Sequence, residues 1–115
     1  IFKGWTRFGI EKPINAALRE LKEEAGIVLK TTDLVDIGRI DYRPNKDLHL
    51  FLYPCQNVQE EFPIESLKCT SYLPFTSIPE MNGYRYSSID TLSKYLYRSL
   101  APIVLKVIRD YYGTI

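Results

Sequence analysis

Glu11-Lys12-Pro13-Ile14-Asn15-Ala16-Ala17-Leu18-Arg19-Glu20-Leu21-Lys22-Glu23-Glu24-Ala25-Gly26-Ile27 is the stretch that decides how this chain is read. Its apolar positions Ile14, Ala17, Leu18, Leu21 and Ala25 recur at i, i+3, i+4, i+7 and i+11, the spacing of one buried helical stripe. Pro13 stands where the first turn of a helix tolerates proline, since that amide has no intrahelical partner in any case. Gly26 stands where a helix stops in the left-handed conformation. At about 100° per residue, Glu20, Glu23 and Glu24 project within about 100° of one another, beside the apolar stripe. Like charges at i, i+4 repel. Hard anionic oxygens gathered this closely are what Mg²⁺ or Mn²⁺ seeks, because Mg²⁺ is held by a few carboxylates together with waters and substrate phosphates. Arg19, four residues before Glu23, is placed to orient a carboxylate, as metal sites commonly require.

Outward from the helix, Leu34–Tyr42 and Leu48–Cys55 read as strands. The turn cluster Arg43-Pro44-Asn45-Lys46-Asp47 joins them into a hairpin. Residues 56–66 are polar and acidic, broken by Pro63, and read as a loop. Leu67–Leu73 reads as a further strand stopped by Pro74. Pro79-Glu80-Met81-Asn82-Gly83 is a second turn signal, followed by Tyr84-Arg85-Tyr86. Ser87 or Ser88 would cap a short helix running to Tyr97. Leu100, Ile103, Val104, Val107, Ile108 and Tyr111 form a last amphipathic stripe, with Ser99 as its expected cap and Pro102 in its first turn. One α+β domain over residues 1–115 accounts for this pattern. The chain opens on Ile1-Phe2-Lys3-Gly4, inside an apolar-to-loop transition, so an N-terminal truncation that removes a first strand is expected.

The 115 residues carry 15 Lys and Arg against 14 Asp and Glu, a net charge of +1, which argues for neither nucleic acid nor a membrane surface as partner. No apolar run approaches the roughly 20 residues needed to span a bilayer. Two cysteines, Cys55 and Cys69, do not make a disulfide framework and are read as buried or half-buried thiols of a reducing, cytoplasmic compartment.

The segment from Glu11 resembles the signature of the Nudix hydrolase family, in which a glycine, five residues, Glu, seven residues and Arg-Glu-(apolar)-x-Glu-Glu-x-Gly-(apolar) follow in order. Every defined position from Glu11 to Ile27 matches. One departs: Trp5 stands where the opening glycine belongs, and the glycine is Gly4. The resemblance implies an α/β/α sandwich with a mixed central sheet, and Mg²⁺ or Mn²⁺ held by Glu20, Glu23 and Glu24. It further implies Glu11 and Arg19 in support and Glu80 as a later ligand or base. The implied reaction is attack of water on a pyrophosphate linkage, with the proton taken by Glu20 or Glu80. The substrate would be a nucleoside diphosphate linked to another moiety: a dinucleoside polyphosphate, ADP-ribose or a nucleoside triphosphate. Lys3, Arg7 and Arg43 are candidates for phosphate contacts, and Trp5 and Tyr84 for stacking on a base. His49, alternating with apolar neighbours, reads as a strand histidine. Two alternatives stand beside this reading: an inactive domain of the same fold that binds a nucleotide or a partner, and an RNA 5′-end pyrophosphohydrolase. The expected partner is a small nucleotide, with no membrane and no nucleic acid; a homodimer is left open.

Overall fold

The computed structural model describes residues 11–44, 46–81, 83–96 and 98–113. They form an α+β arrangement. Helix α1 (Pro13–Ala25) is followed by the antiparallel strands β1 (Val35–Arg43) and β2 (Lys46–Leu52), then by the single-turn helices α2 (Val58–Glu61) and α3 (Leu92–Tyr95) and by α4 (Ala101–Tyr112). Among the described residues the sheet has two strands, joined through a turn at Pro44. The chain divides into two compact units, Ile1–Asp36 with Phe51–Arg85, and Ile37–Leu50 with Tyr86–Ile115.

In the first unit α1 follows the expected stripe. Lys12 is extended (φ −73°, ψ 149°) and its carbonyl accepts the first helical bond from Ala16; Pro13 opens the first turn. Of that stripe Ala25 is fully buried and Ile14, Ala17, Leu18 and Leu21 are half-buried; Ala16, which lies outside it, is buried as well. Gly26 ends the helix at φ 72°, ψ 15°, its amide bonded to Lys22 O at 2.9 Å. A Cβ there would also lie 3.3 Å from Lys68 O, so glycine meets two demands at once: the left-handed backbone and a close neighbour.

Residues 67–73 do not form the expected strand. Their alternation does present backbone donors in register, but the acceptors are helical carbonyls. Lys68 N bonds to Ala25 O at 3.0 Å, and Thr70 N to Glu23 O at 2.7 Å. The last carbonyls of a helix have no intrahelical partner and must be satisfied from outside, and this segment does so. Beyond it, Ser71 O accepts from Glu80 N (3.0 Å), Tyr72 bridges Pro79, and Leu73 N bonds to Ile78 O (2.9 Å). Residues 71–80 are therefore a narrow hairpin, with Phe75 at its tip in a left-handed conformation (φ 61°).

The polar stretch 56–66, read as a loop, contains α2 and a 3₁₀ turn at Ile64–Ser66. Asn57 caps α2, its side-chain oxygen accepting from Gln59 N (3.1 Å) and Glu60 N (3.2 Å). The Tyr53 and Phe62 rings meet edge to face at 5.7 Å, and the Tyr53 hydroxyl donates to Glu61.

In the second unit the short helix after Ser88 is a 3₁₀ turn (Ile89–Thr91) running into α3. α4 starts one residue after Leu100, which carries no side-chain cap. Ser99 is not the cap: its Oγ lies 2.7 Å from the Tyr42 hydroxyl and ties the helix start to β1 instead. Among the described residues no helix is long and apolar enough to cross a membrane.

Candidate metal centre on the first helix

Arg19 organises the polar side of α1. Its Nε and Nη2 grip Glu11 as a fork, at 2.8 Å to Oε2 and 3.1 Å to Oε1, while Nη1 donates to Glu20 Oε1 at 2.7 Å and to Glu23 Oε2 at 3.2 Å. Bidentate guanidinium–carboxylate pairs fix geometry as well as contribute energy. Here the fork pulls Glu11, in the segment leading into α1, onto the second turn of the helix. Hydrogen bonding to Glu11, opposed by burial and aided by Glu20, pushes the guanidinium still further above its ordinary range, so Arg19 stays cationic throughout.

The helix angles decide which glutamates join this network and which turn away from it. Taking Glu20 as the origin, Glu24 lies about 40° to one side and Glu23 about 60° to the other, next to Arg19. Glu23, expected as a metal ligand, accordingly sits against the guanidinium. The carboxylates that converge are Glu20, Glu24 and Glu80, each offering an oxygen within 4.8 Å of the other two. Glu24 is buried to 6% exposure, Glu20 is half-buried and Glu80 is exposed, so the group opens from the helix to solvent. For Mg–O bonds of about 2.1 Å, octahedral ligand oxygens lie about 3.0–4.2 Å apart. The 4.8 Å limit on the three carboxylate oxygens is wider than this range, so a small divalent cation would draw them closer, with open positions left for water and phosphate.

Backbone contacts hold the group together. The last turn of α1 has each carbonyl engaged: Lys22 by Gly26, Glu23 by Thr70, Glu24 by the Tyr84 hydroxyl, and Ala25 by Lys68. Tyr84, expected to stack on a base, thus spends its hydroxyl on the helix and is half-buried. Burial raises its pKa, which keeps the hydroxyl a donor. Glu80 is tied on the other side: its amide bonds to Ser71 O, and Ser71 Oγ donates to Glu80 Oε2 at 3.2 Å. The Cys69 thiol donates to Ser71 O at 3.1 Å. The segment 68–71 escaped the functional reading because it has strand alternation and no charged cluster. Its Thr70 and Ser71, next to a cysteine, are the donors a closer reading would have questioned.

Of the other candidates, Lys3, Trp5 and Arg7 lie outside the described residues, as does the side chain of Arg43. His49 is half-buried on β2 and does not belong to the carboxylate group. Cys55 and Cys69 are free, half-buried thiols. In the second unit a shallow groove of about 470 Å³ runs beside α4, lined by Arg98, Pro102, Lys106 and Arg109 among others. It contains none of Glu20, Glu24 and Glu80.

No family model matches the chain, and no solved structure matches it. A curated relative, described as an uncharacterized 17.7 kDa protein in the e-segB intergenic region of Enterobacteria phage T4, is 37% identical over 75 residues, covering 62% of this chain and 48% of that protein. The chain thus spans about half the length of that relative, and the likeness brings no activity with it.

Proposed function

We propose that this chain is a Mg²⁺-dependent hydrolase of pyrophosphate linkages in nucleoside-diphosphate-type substrates, with the Nudix-type sandwich as the full fold. The observation that carries the reading is the convergence of Glu20, Glu24 and Glu80 within 4.8 Å, two from the signature helix and one from a separate hairpin. The Arg19 fork on Glu11, with its further bonds to Glu20 and Glu23, supports the same reading, because it uses the signature residues as a single network.

A divalent cation bound there would neutralise phosphate oxygens and make a water more acidic. The protein's own part is then definable. Glu20, Glu24 and Glu80 supply hard oxygen ligands, and Arg19 sets the Glu20 rotamer while holding Glu11 and Glu23 apart from the ligand group. Water attacks one phosphorus, the bond from that phosphorus to the bridging oxygen breaks, and the bridging oxygen leaves with the second phosphate. The water proton passes to Glu20 or Glu80, both of which are within reach of the ligand group.

The experiment follows the phosphomonoester or pyrophosphate products by chromatography across dinucleoside polyphosphates, ADP-ribose and nucleoside triphosphates, with Mg²⁺ and with a chelator, for the wild type and Glu20→Gln. Turnover that needs Mg²⁺ and falls at least about 100-fold in the variant is expected, since metal-centred charge stabilisation amounts to several kcal/mol at 1.36 kcal/mol per tenfold. Equal rates in the two proteins, or turnover of no substrate on the panel, would overturn the assignment.

A further inference from the structure

Residues 68–71 bond on both sides. Lys68 N and Thr70 N face α1 and take the carbonyls of Ala25 and Glu23, the residues that flank Glu24. Ser71 faces the other way: its carbonyl accepts from Glu80 N, and its hydroxyl donates to Glu80 Oε2. Tyr84, four residues beyond Glu80, closes the loop on the carbonyl of Glu24 itself. Three consecutive carbonyls, at 23, 24 and 25, are therefore bonded by the segments on either side of Glu80. The spacing between Glu24 and Glu80 is set by these bonds. The carboxylates themselves, like in charge, repel one another and could not set it.

We infer that Ser71 is a positioning residue for the metal centre, holding the Glu80 carboxylate in the rotamer that lets it act with Glu20 and Glu24. The inference rests on the hydrolase reading above and adds to it the device that brings in the ligand from outside the helix. Glu80 is exposed, and an exposed glutamate has three side-chain torsions to order. Its backbone is fixed by the hairpin bond to Ser71 O, but only the Ser71 hydroxyl restrains the carboxylate in the contacts described above. The hydroxyl engages Glu80 Oε2, and a carboxylate has a second oxygen that can ligate an ion. Partners of this kind behind a metal ligand typically govern affinity by about 10- to 100-fold.

The test is a Mn²⁺ titration of the whole chain followed by electron paramagnetic resonance, on the wild type, Ser71→Ala, Ser71→Thr, Glu80→Gln and the Ser71→Ala/Glu80→Gln pair. Ser71→Ala is expected to weaken Mn²⁺ about 10-fold, and Ser71→Thr, which keeps the hydroxyl, to recover most of that loss. In the Glu80→Gln background, Ser71→Ala is expected to add almost nothing, because its effect passes through Glu80. A merely structural serine would weaken binding equally in both backgrounds, and that result would overturn the inference. So would wild-type affinity in Ser71→Ala, with the hydrolase reading left standing. If the wild type neither binds Mn²⁺ nor hydrolyses any nucleotide, the hydrolase reading itself fails, and the role of Ser71 fails with it.

Discussion

α1 and α4 are nearly the same object in sequence. They span 13 and 12 residues, each carries proline in its first turn and an apolar stripe along one side, and each stops at a glycine with positive φ. Their charged residues behave differently. On α4 the pair Lys106–Asp110, an i, i+4 bridge at 2.8 Å, stands 76% and 65% exposed, the ordinary solvated face of an amphipathic helix. On α1 the Arg19 cluster is drawn inward, with side-chain exposures of 21% for Arg19, 12% for Glu11 and 13% for Glu20. Drawing several like charges out of water costs free energy that packing alone does not return. Periodicity locates a helix; the burial of its charges distinguishes an inward ion-pair network from a solvated face.

Replacing the central cation on each helix is the strongest way to break that comparison. Arg19→Ala leaves Glu11, Glu20 and Glu23 without their shared donor. The loss expected in urea unfolding is about 2 kcal/mol, given about 1.5–3 kcal/mol for a hydrogen bond to a charged group and some relief by solvent. Lys106→Ala should leave the unfolding midpoint where it is. Equal effects would mean that the inward cluster on α1 is no more than surface charge.

Gly26→Ala should cost about 1–2 kcal/mol in the same measurement, because the left-handed backbone penalises a Cβ and Lys68 O lies 3.3 Å from where it would go. A neutral result would show that the C-terminal turn of α1 is looser than its bonded carbonyls indicate.

The two thiols give a smaller contrast within the first unit. Burial, and secondarily Glu61, raises the Cys55 pKa. Burial also works to raise that of Cys69, but hydrogen bonding with Ser71 and with the backbone at Met81, Ser71 and Glu80 outweighs it and lowers the pKa. A lowered pKa means more thiolate at a given pH, and the thiolate is the nucleophile. Iodoacetamide at about pH 8, near the free-thiol value, should therefore modify Cys69 before Cys55, with the ratio narrowing as pH rises and both ionise. Labelling in the reverse order would remove the Cys69–Ser71–Glu80 contacts from the account.

The parts of this molecule that were legible in sequence are those in which local pattern and final environment agree. α1, the β1–β2 hairpin and α4 follow from periodicity and turn residues, which act within each segment. Arg19 and the glutamates were legible as a cluster because helix geometry alone brings them together. The 100° step puts Glu23 on the same side as Glu20 and Glu24, and does not tell which of the three meets Glu80. What sequence did not show is the tertiary half of the site. The alternation at 67–73 fits a strand, yet its donors bond to helix carbonyls. Ser99 looks like a cap, but its hydroxyl meets Tyr42. Tyr84 offers a ring for stacking and spends its hydroxyl on Glu24 O. In each case the competing partner lies far along the chain, where no local rule can register it.

The most direct test of the metal centre is calorimetric titration of the whole chain with Mg²⁺, comparing the wild type with Glu24→Gln on α1 and Asp110→Asn on α4. Saturable binding is expected in the wild type and in Asp110→Asn, and its loss in Glu24→Gln. Binding of equal strength in all three, or in none, would contradict the assignment of Glu20, Glu24 and Glu80 as a cation site.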